Sequence, residues 1–208
     1  MRSTLLTKIL KSGQRGRQAE KIYHYARHIK GRWPEGEPII SKDAEWACLY
    51  AWAIIKGRWP EAEPTISKNP RWACKYADNV IKGRWPEAEP TISKNPRWAC
   101  KYAQYIIKGR WPEAEPTISQ GPRSAYWYAR NVIKGRWPEA EKTISTDLGR
   151  AYNYAFRVIK GRWLEFEALL CDVSLVKFDQ VKEYVSKIDW ASPLNDFPIP
   201  KRIKRAIK

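Results

Sequence analysis

Apolar positions in this chain follow two nested rhythms. From Pro70 to Lys82, Ala73, Tyr76, Ala77, Val80 and Ile81 fall at i, i+3, i+4, i+7 and i+8, one apolar stripe of an amphipathic helix. The pattern then recurs every 26 residues, and with it the string Lys-Gly-Arg-Trp, six times in all, with glycines at Gly31, Gly57, Gly83, Gly109, Gly135 and Gly161. Self-similarity at a fixed period marks a stack of small units, none of which buries its apolar face alone. The prediction is an all-α fold: an α-solenoid of six 26-residue two-helix repeats with a C-terminal capping helix.

Each repeat carries its own boundaries. Asn69 is a good N-cap and Pro70 suits the first helical position. Gly83 is expected to end the long helix as a left-handed C-cap, with Lys82 against the negative end of the helix dipole. A shorter helix follows. Pro86 fits its start, Glu87 and Glu89 complement its positive end, and Ile92 points inward. Pro90 removes a backbone donor, so this helix is distorted or begins there. Trp85 sits just after the turn, where a large flat side chain can wedge between repeats. With Trp33, Trp59, Trp111, Trp137 and Trp163 it is expected to form a buried spine. Arg84, Glu87 and Glu89 with their copies suggest an ion-pair ladder between repeats, which fixes register more than it adds stability.

The ends differ. The first repeat is one residue shorter between Ala26 and Gly31 than its partners, and Leu164 replaces the turn proline in the sixth. We divide the chain into a basic N-terminal segment (1–18), a helical repeat solenoid (19–174), a capping helix (175–190) and a Pro-rich basic tail (191–208). One continuous domain is expected.

Charge points to the class of partner. The formal net charge is +17, which favours an acidic protein surface, nucleic acid or an anionic nucleotide. Cys48, Cys74 and Cys100 repeat at one position, too far apart between stacked helices to bridge, and read as buried thiols in a reducing compartment. No segment reads as a membrane span or a signal peptide, so the cytoplasm is the expected location.

Catalytic chemistry has no foothold. There is no Gly-x-Ser-x-Gly, no phosphate-binding Gly-rich loop and no Cys/His pairing. The repeated Glu-Ala-Glu carboxylates come in identical copies, whereas active sites are singular. Glu20, His24 and His28 share a helix face at metal-ligand spacing, but a solvated polar face is the simpler reading. A non-enzymatic protein without cofactor or metal is expected.

Partners are read where the repeats disagree. Three places on the long helix vary, and helical spacing puts them opposite the apolar stripe. They hold His24, Arg27, His28; Leu49, Trp52, Ala53; Lys75, Asp78, Asn79; Lys101, Gln104, Tyr105; Trp127, Arg130, Asn131; and Asn153, Phe156, Arg157. Aromatics interleaved with Lys and Arg are the usual anchors of protein interfaces, and they also stack on unpaired bases. Candidate partner-binding residues are Trp52, Lys75, Lys101, Tyr105, Trp127, Arg130, Phe156 and Arg157. The alternative is a phosphate-binding stripe of Lys82, Arg84, Lys108, Arg110, Lys134 and Arg136, with Lys201, Arg202, Lys204 and Arg205 in the tail. Neutral drift on an unconstrained face also fits the variation.

The unit Trp-Ala-Cys-Lys-Tyr-Ala-x-x-Val-Ile-Lys-Gly-Arg-Trp-Pro-Glu-Ala-Glu-Pro-Thr-Ile-Ser-Lys-Asn-Pro resembles a repeat of uncharacterised bacteriophage proteins, over roughly Ala19 to Ala168. The resemblance implies a phage origin and residence in an infected bacterial cytoplasm. It carries no functional residues. Small phage proteins of this kind act by binding, and the leading expectation is a host protein with an acidic surface.

Overall fold

The computed structural model describes residues 15–161 and 163–170, together with the single positions Thr7, Ile9, Gly13 and Ser186. The expected capping helix and basic tail lie outside the described residues. Among those described, the chain is helical and without strands, with helix pairs recurring about 26 residues apart. This is an α-solenoid. The chain divides into two compact units, Met1–Lys108 and Gly109–Lys208. No described helix is long and apolar enough to cross a membrane.

The first unit runs α1 (Arg15–His28), α2 (Glu37–Ile40), α3 (Ala44–Tyr50), α4 (Glu63–Ile66), α5 (Pro70–Tyr76), α6 (Glu89–Ile92) and α7 (Pro96–Tyr102). The second runs α8 (Glu115–Ile118), α9 (Pro122–Tyr128), α10 (Pro138–Ile144), α11 (Leu148–Tyr154) and α12 (Leu164–Leu170). In the first unit α3 packs on α5 and α5 on α7; in the second α9 packs on α11. Asn69 caps α5 as its sequence predicts, its side chain accepting from the backbone N–H groups of Arg71 and Trp72. Asp43 and Asn95 cap α3 and α7 in the same way.

The long helices do not end as α-helices. After Tyr50, Tyr76, Tyr102, Tyr128 and Tyr154 each widens into one π-helical turn, for example Ala77–Ile81. A π-turn accommodates one extra residue. The first repeat, one residue shorter here, stays α-helical to His28. The wider turn rotates the end of the apolar stripe. Ala73, Tyr76 and Ala77 are buried as expected, while Val80 and Ile81 are only half-buried. Trp72 and Cys74, beside the stripe, are buried in their place.

The C-cap also differs from expectation. The left-handed residue is the lysine: Lys30, Lys56, Lys82, Lys108, Lys134 and Lys160 have φ of 53–59°. Gly83 follows it without positive φ, and a Cβ added there meets nothing within 4 Å. Both N–H groups fold back on Ala77, Lys82 through the cap bond and Gly83 at 3.2 Å. A non-glycine residue in this conformation costs roughly 1–2 kcal/mol. Lys82→Gly is therefore expected to raise stability by about 0.5–1 kcal/mol, and Gly83→Ala by about 0.4–1 kcal/mol through the unfolded chain. Denaturant unfolding checks both. A loss at Gly83→Ala would place the strain on the glycine instead.

Proline sets the form of the second helix. Pro38, Pro64, Pro90 and Pro116 lack the N–H that would close the preceding turn, leaving only the four-residue helices α2, α4, α6 and α8. Lys142 and Ala168 stand at the corresponding positions of the last two repeats, and there α10 and α12 run seven residues without a break.

Candidate interaction face

In the first five repeats the turn arginine is paired to a glutamate. Arg84 clamps the Glu89 carboxylate through Nε and NH2, both at 2.8 Å. The Tyr102 hydroxyl donates to Glu89 Oε1 at 2.9 Å and accepts from the Trp85 backbone N–H at 2.6 Å. Tyr102 belongs to the next long helix, so this hydroxyl is the tie between neighbours. The same four-residue arrangement joins Arg32, Trp33, Glu37 and Tyr50, and Arg58, Trp59, Glu63 and Tyr76. In the second unit it joins Arg110, Trp111, Glu115 and Tyr128, and Arg136, Trp137, Glu141 and Tyr154. The expected ladder between repeats is thus a clamp within each turn. Its reach to the neighbour is a tyrosine, not a second charge. Glu87 makes only a longer-range electrostatic approach to Arg58.

Electrostatics follow from this geometry. Hydrogen bonds from arginine, aided by tyrosine, hold Glu37, Glu63, Glu89 and Glu115 below the usual carboxylate value. Burial pushes the Tyr50 hydroxyl up to about 12 and raises its repeats further in the same direction. Burial also pushes the thiols of Cys48, Cys74 and Cys100 up to about 12, which makes them inert structural groups.

The six turn lysines and arginines of the phosphate stripe therefore behave differently from one another. Arg84, Arg110 and Arg136 are held by glutamates, while Lys82, Lys108 and Lys134 project exposed from left-handed positions. Lys201, Arg202, Lys204 and Arg205 lie outside the described residues.

The long-helix face is of another kind. Of its eighteen variable positions only Asp78 is acidic, whereas Arg27, Lys75, Lys101, Arg130 and Arg157 are basic. Among the described residues Trp52, Tyr105 and Phe156 are the exposed large hydrophobic ones, 54%, 55% and 36% accessible. In the first unit a groove of about 230 Å³ between α3 and α5 is lined by Cys48, Leu49, Trp52, Trp72, Lys75 and Asn79. A second, of about 210 Å³, lies between α5 and α7 and includes Lys75, Asp78, Trp98, Lys101 and Tyr105. In the second unit Arg130 lies over Trp127 at 5.2 Å and reaches the Tyr126 hydroxyl at 3.2 Å. Arg157 lies over Phe156 at 5.9 Å, and Phe156 stacks on Tyr152.

No protein-family model, curated protein or solved structure matches the chain.

Variation among the repeats picks out Trp52, Lys75, Lys101 and Tyr105 together in the first unit, and Trp127, Arg130, Phe156 and Arg157 in the second. It misses Arg71, Trp72, Arg97 and Trp98. Arg71 and Lys75 lie over Trp72 at 4.7 and 4.3 Å; Arg97 and Lys101 lie over Trp98 at 5.4 and 4.9 Å. The signal is present in the chain as Arg-Trp-x-x-Lys, a spacing that brings Lys onto the indole one turn back. His24 approaches Glu20 at 4.0 Å and packs beside Tyr23 and Trp46.

Proposed function

We propose that the long-helix face is a binding surface, and that the protein acts without catalysis by engaging a partner protein with an acidic surface. The phage resemblance makes a host protein the natural partner. The observation that carries the reading is the exposure of Trp52 and Tyr105 in the first unit, and of Phe156 in the second, at or beside the long-helix positions where otherwise uniform repeats differ and carry Lys75, Lys101 and Arg157. Arginine and aromatic residues anchor protein interfaces, and complementary charge speeds encounter. On the turn side Arg58 and Arg84 stay paired to glutamate. Nucleic acid is the less favoured occupant. Trp72 and Trp98 are covered by their own lysines and arginines and offer no stacking platform, so among the described residues stacking on bases would rest on the separate rings of Trp52, Tyr105 and Phe156.

The test replaces Trp52, Tyr105, Trp127 and Arg130 with alanine together. Affinity purification from phage-infected cells is expected to recover an acidic protein with the wild-type chain and to lose at least tenfold of it with the variant, at unchanged helicity. Equal recovery would remove this face. A nuclease-sensitive eluate would replace the protein partner with nucleic acid.

A further inference from the structure

The second unit repeats the places of the first groove with different chemistry. In the first unit Cys48, Leu49, Trp52, Trp72, Lys75 and Asn79 line that groove. Three repeats further along, their counterparts are Tyr126, Trp127, Arg130, Arg150, Asn153 and Arg157. One cation among six places becomes three, all of them arginine, and none of the six is acidic. Contacts join two of the three arginines across the packed helices α9 and α11. Arg130, in the π-turn after α9, donates from Nη1 to the Tyr126 hydroxyl at 3.2 Å. Arg150, on α11, lies 6.0 Å over the ring of the same tyrosine. Tyr126 is buried, so it seats both guanidinium groups at the seam between the two helices.

Neutral groups hold these arginines, whereas glutamates hold the turn arginines Arg110 and Arg136. Arg157, in the π-turn after α11, donates from Nε to Asn153 Oδ1 at 3.3 Å. Asn153 is itself fixed, its Nδ2 donating to the Gly149 carbonyl at 2.7 Å. Among the described residues no salt bridge joins Arg130, Arg150 or Arg157 to a carboxylate. Asp147, the acid nearest to Arg150 along the chain, caps α11 and accepts from the Arg150 backbone N–H at 3.0 Å. The guanidinium groups thus keep both their charge and most of their N–H donors.

We propose that Arg130, Arg150 and Arg157 form a binding site for a phosphate monoester carried by the partner protein. The proposal rests on the long-helix face being the binding surface and names the chemistry that this face takes in the second unit. A phosphate monoester brings about −1.5 to −2 charges near neutral pH and several strong acceptor oxygens. Planar guanidinium forks match those oxygens in pairs, which an ammonium does not. A carboxylate brings a single charge and leaves part of the cluster unmatched. Arg130 and Arg150, seated on Tyr126, are the inner contacts, and the exposed Arg157 is the outer one.

Fluorescence anisotropy on the full chain at low salt tests this with short labelled peptides that differ at one central residue: phosphoserine, serine or glutamate. The phosphoserine peptide is expected to bind at least about tenfold more tightly than the serine peptide and about fivefold more tightly than the glutamate peptide. Arg130→Lys and Arg150→Lys keep the charge and lose the fork, and each should weaken it about fivefold or more at unchanged helicity. Arg157→Gln, at an exposed position, should weaken it about threefold to fivefold. Lys134→Gln removes a charge from the turn side of the same unit and should stay within about twofold of wild type. Should a lysine variant lose helicity, Arg157→Gln and the contrast among peptides decide. Equal binding of the serine peptide, undiminished binding by both lysine variants, or equal weakening by Lys134→Gln would overturn the proposal. Inorganic phosphate and adenosine monophosphate are the competitors, and they should displace the peptide equally. A nucleotide that competes about tenfold better would overturn the protein source of the phosphate. If the phosphopeptide fails while the fourfold variant still loses its captured protein, the phosphate site falls and the face stands. If both fail, the face falls too.

Discussion

Trp85→Ala is expected to lower the stability of the first unit by about 3–5 kcal/mol, the range for truncating a buried aromatic. Trp85 is 2% exposed. Its ring packs against Tyr76 of the preceding long helix at 5.0 Å, and its backbone N–H bonds to Tyr102 of the following one. Truncation leaves a cavity between two neighbouring repeats, where a linear array draws its cohesion. The comparison is Trp52→Ala, which removes an indole of the same size from an exposed position and should shift stability by less than about 0.5 kcal/mol. Denaturant titration of both variants reads the contrast directly. Similar losses would mean that the turn indoles are not the spine.

Tyr102→Phe tests the polar half of the same joint. The substitution keeps the ring and removes one oxygen. The Trp85 N–H then loses its acceptor in a buried site, and Glu89 loses a donor. A buried unsatisfied group costs about 1–3 kcal/mol, and that loss is expected here. The acid limb of stability reports on the same network. Glu89 is held below its ordinary value of 4.5, chiefly by hydrogen bonds from Arg84. A carboxylate depressed in the folded state contributes fully above its unfolded value and is lost as pH falls toward its folded value. Stability should therefore be level above about pH 5 and decline progressively below 4.5. Glu89→Gln should remove one clamp's share of that decline, leaving the shares of Glu37, Glu63 and Glu115, while lowering the plateau. An unchanged acid limb would detach the clamp from stability.

The scaffold is legible in the sequence because its signals are local. Asn69 and Pro70 announce a helix start through their own chemistry, and the apolar triplet Ala73, Tyr76 and Ala77 announces its buried face. Position at a turn is enough to put Trp85 in the core. The illegible part depends on backbone geometry that residue type does not specify. A glycine beside a lysine invites assignment of the left-handed position to the glycine, yet Lys82 takes it. The π-turn is visible only as a length difference, the residue that the first repeat lacks before Gly31. Because that turn rotates the end of the helix, Val80 and Ile81 lie shallower than the apolar stripe alone implies. On the candidate face, Trp52 and Tyr105 stand out because they vary. Trp72 and Trp98 do not, because they repeat, and repetition reads as scaffold. Their role emerges only from Lys75 and Lys101 lying over them.

Site-specific photo-crosslinking tests most directly whether the long-helix face is where the protein meets its partner. A photoreactive phenylalanine analogue is placed at Trp52 or Tyr105, and separately at Glu61 or Glu87 on the exposed turn side. Illumination during partner capture should yield adducts from Trp52 and Tyr105 with a single acidic protein, and none from the two glutamate positions. Adducts arising from Glu61 and Glu87 alone would contradict the account.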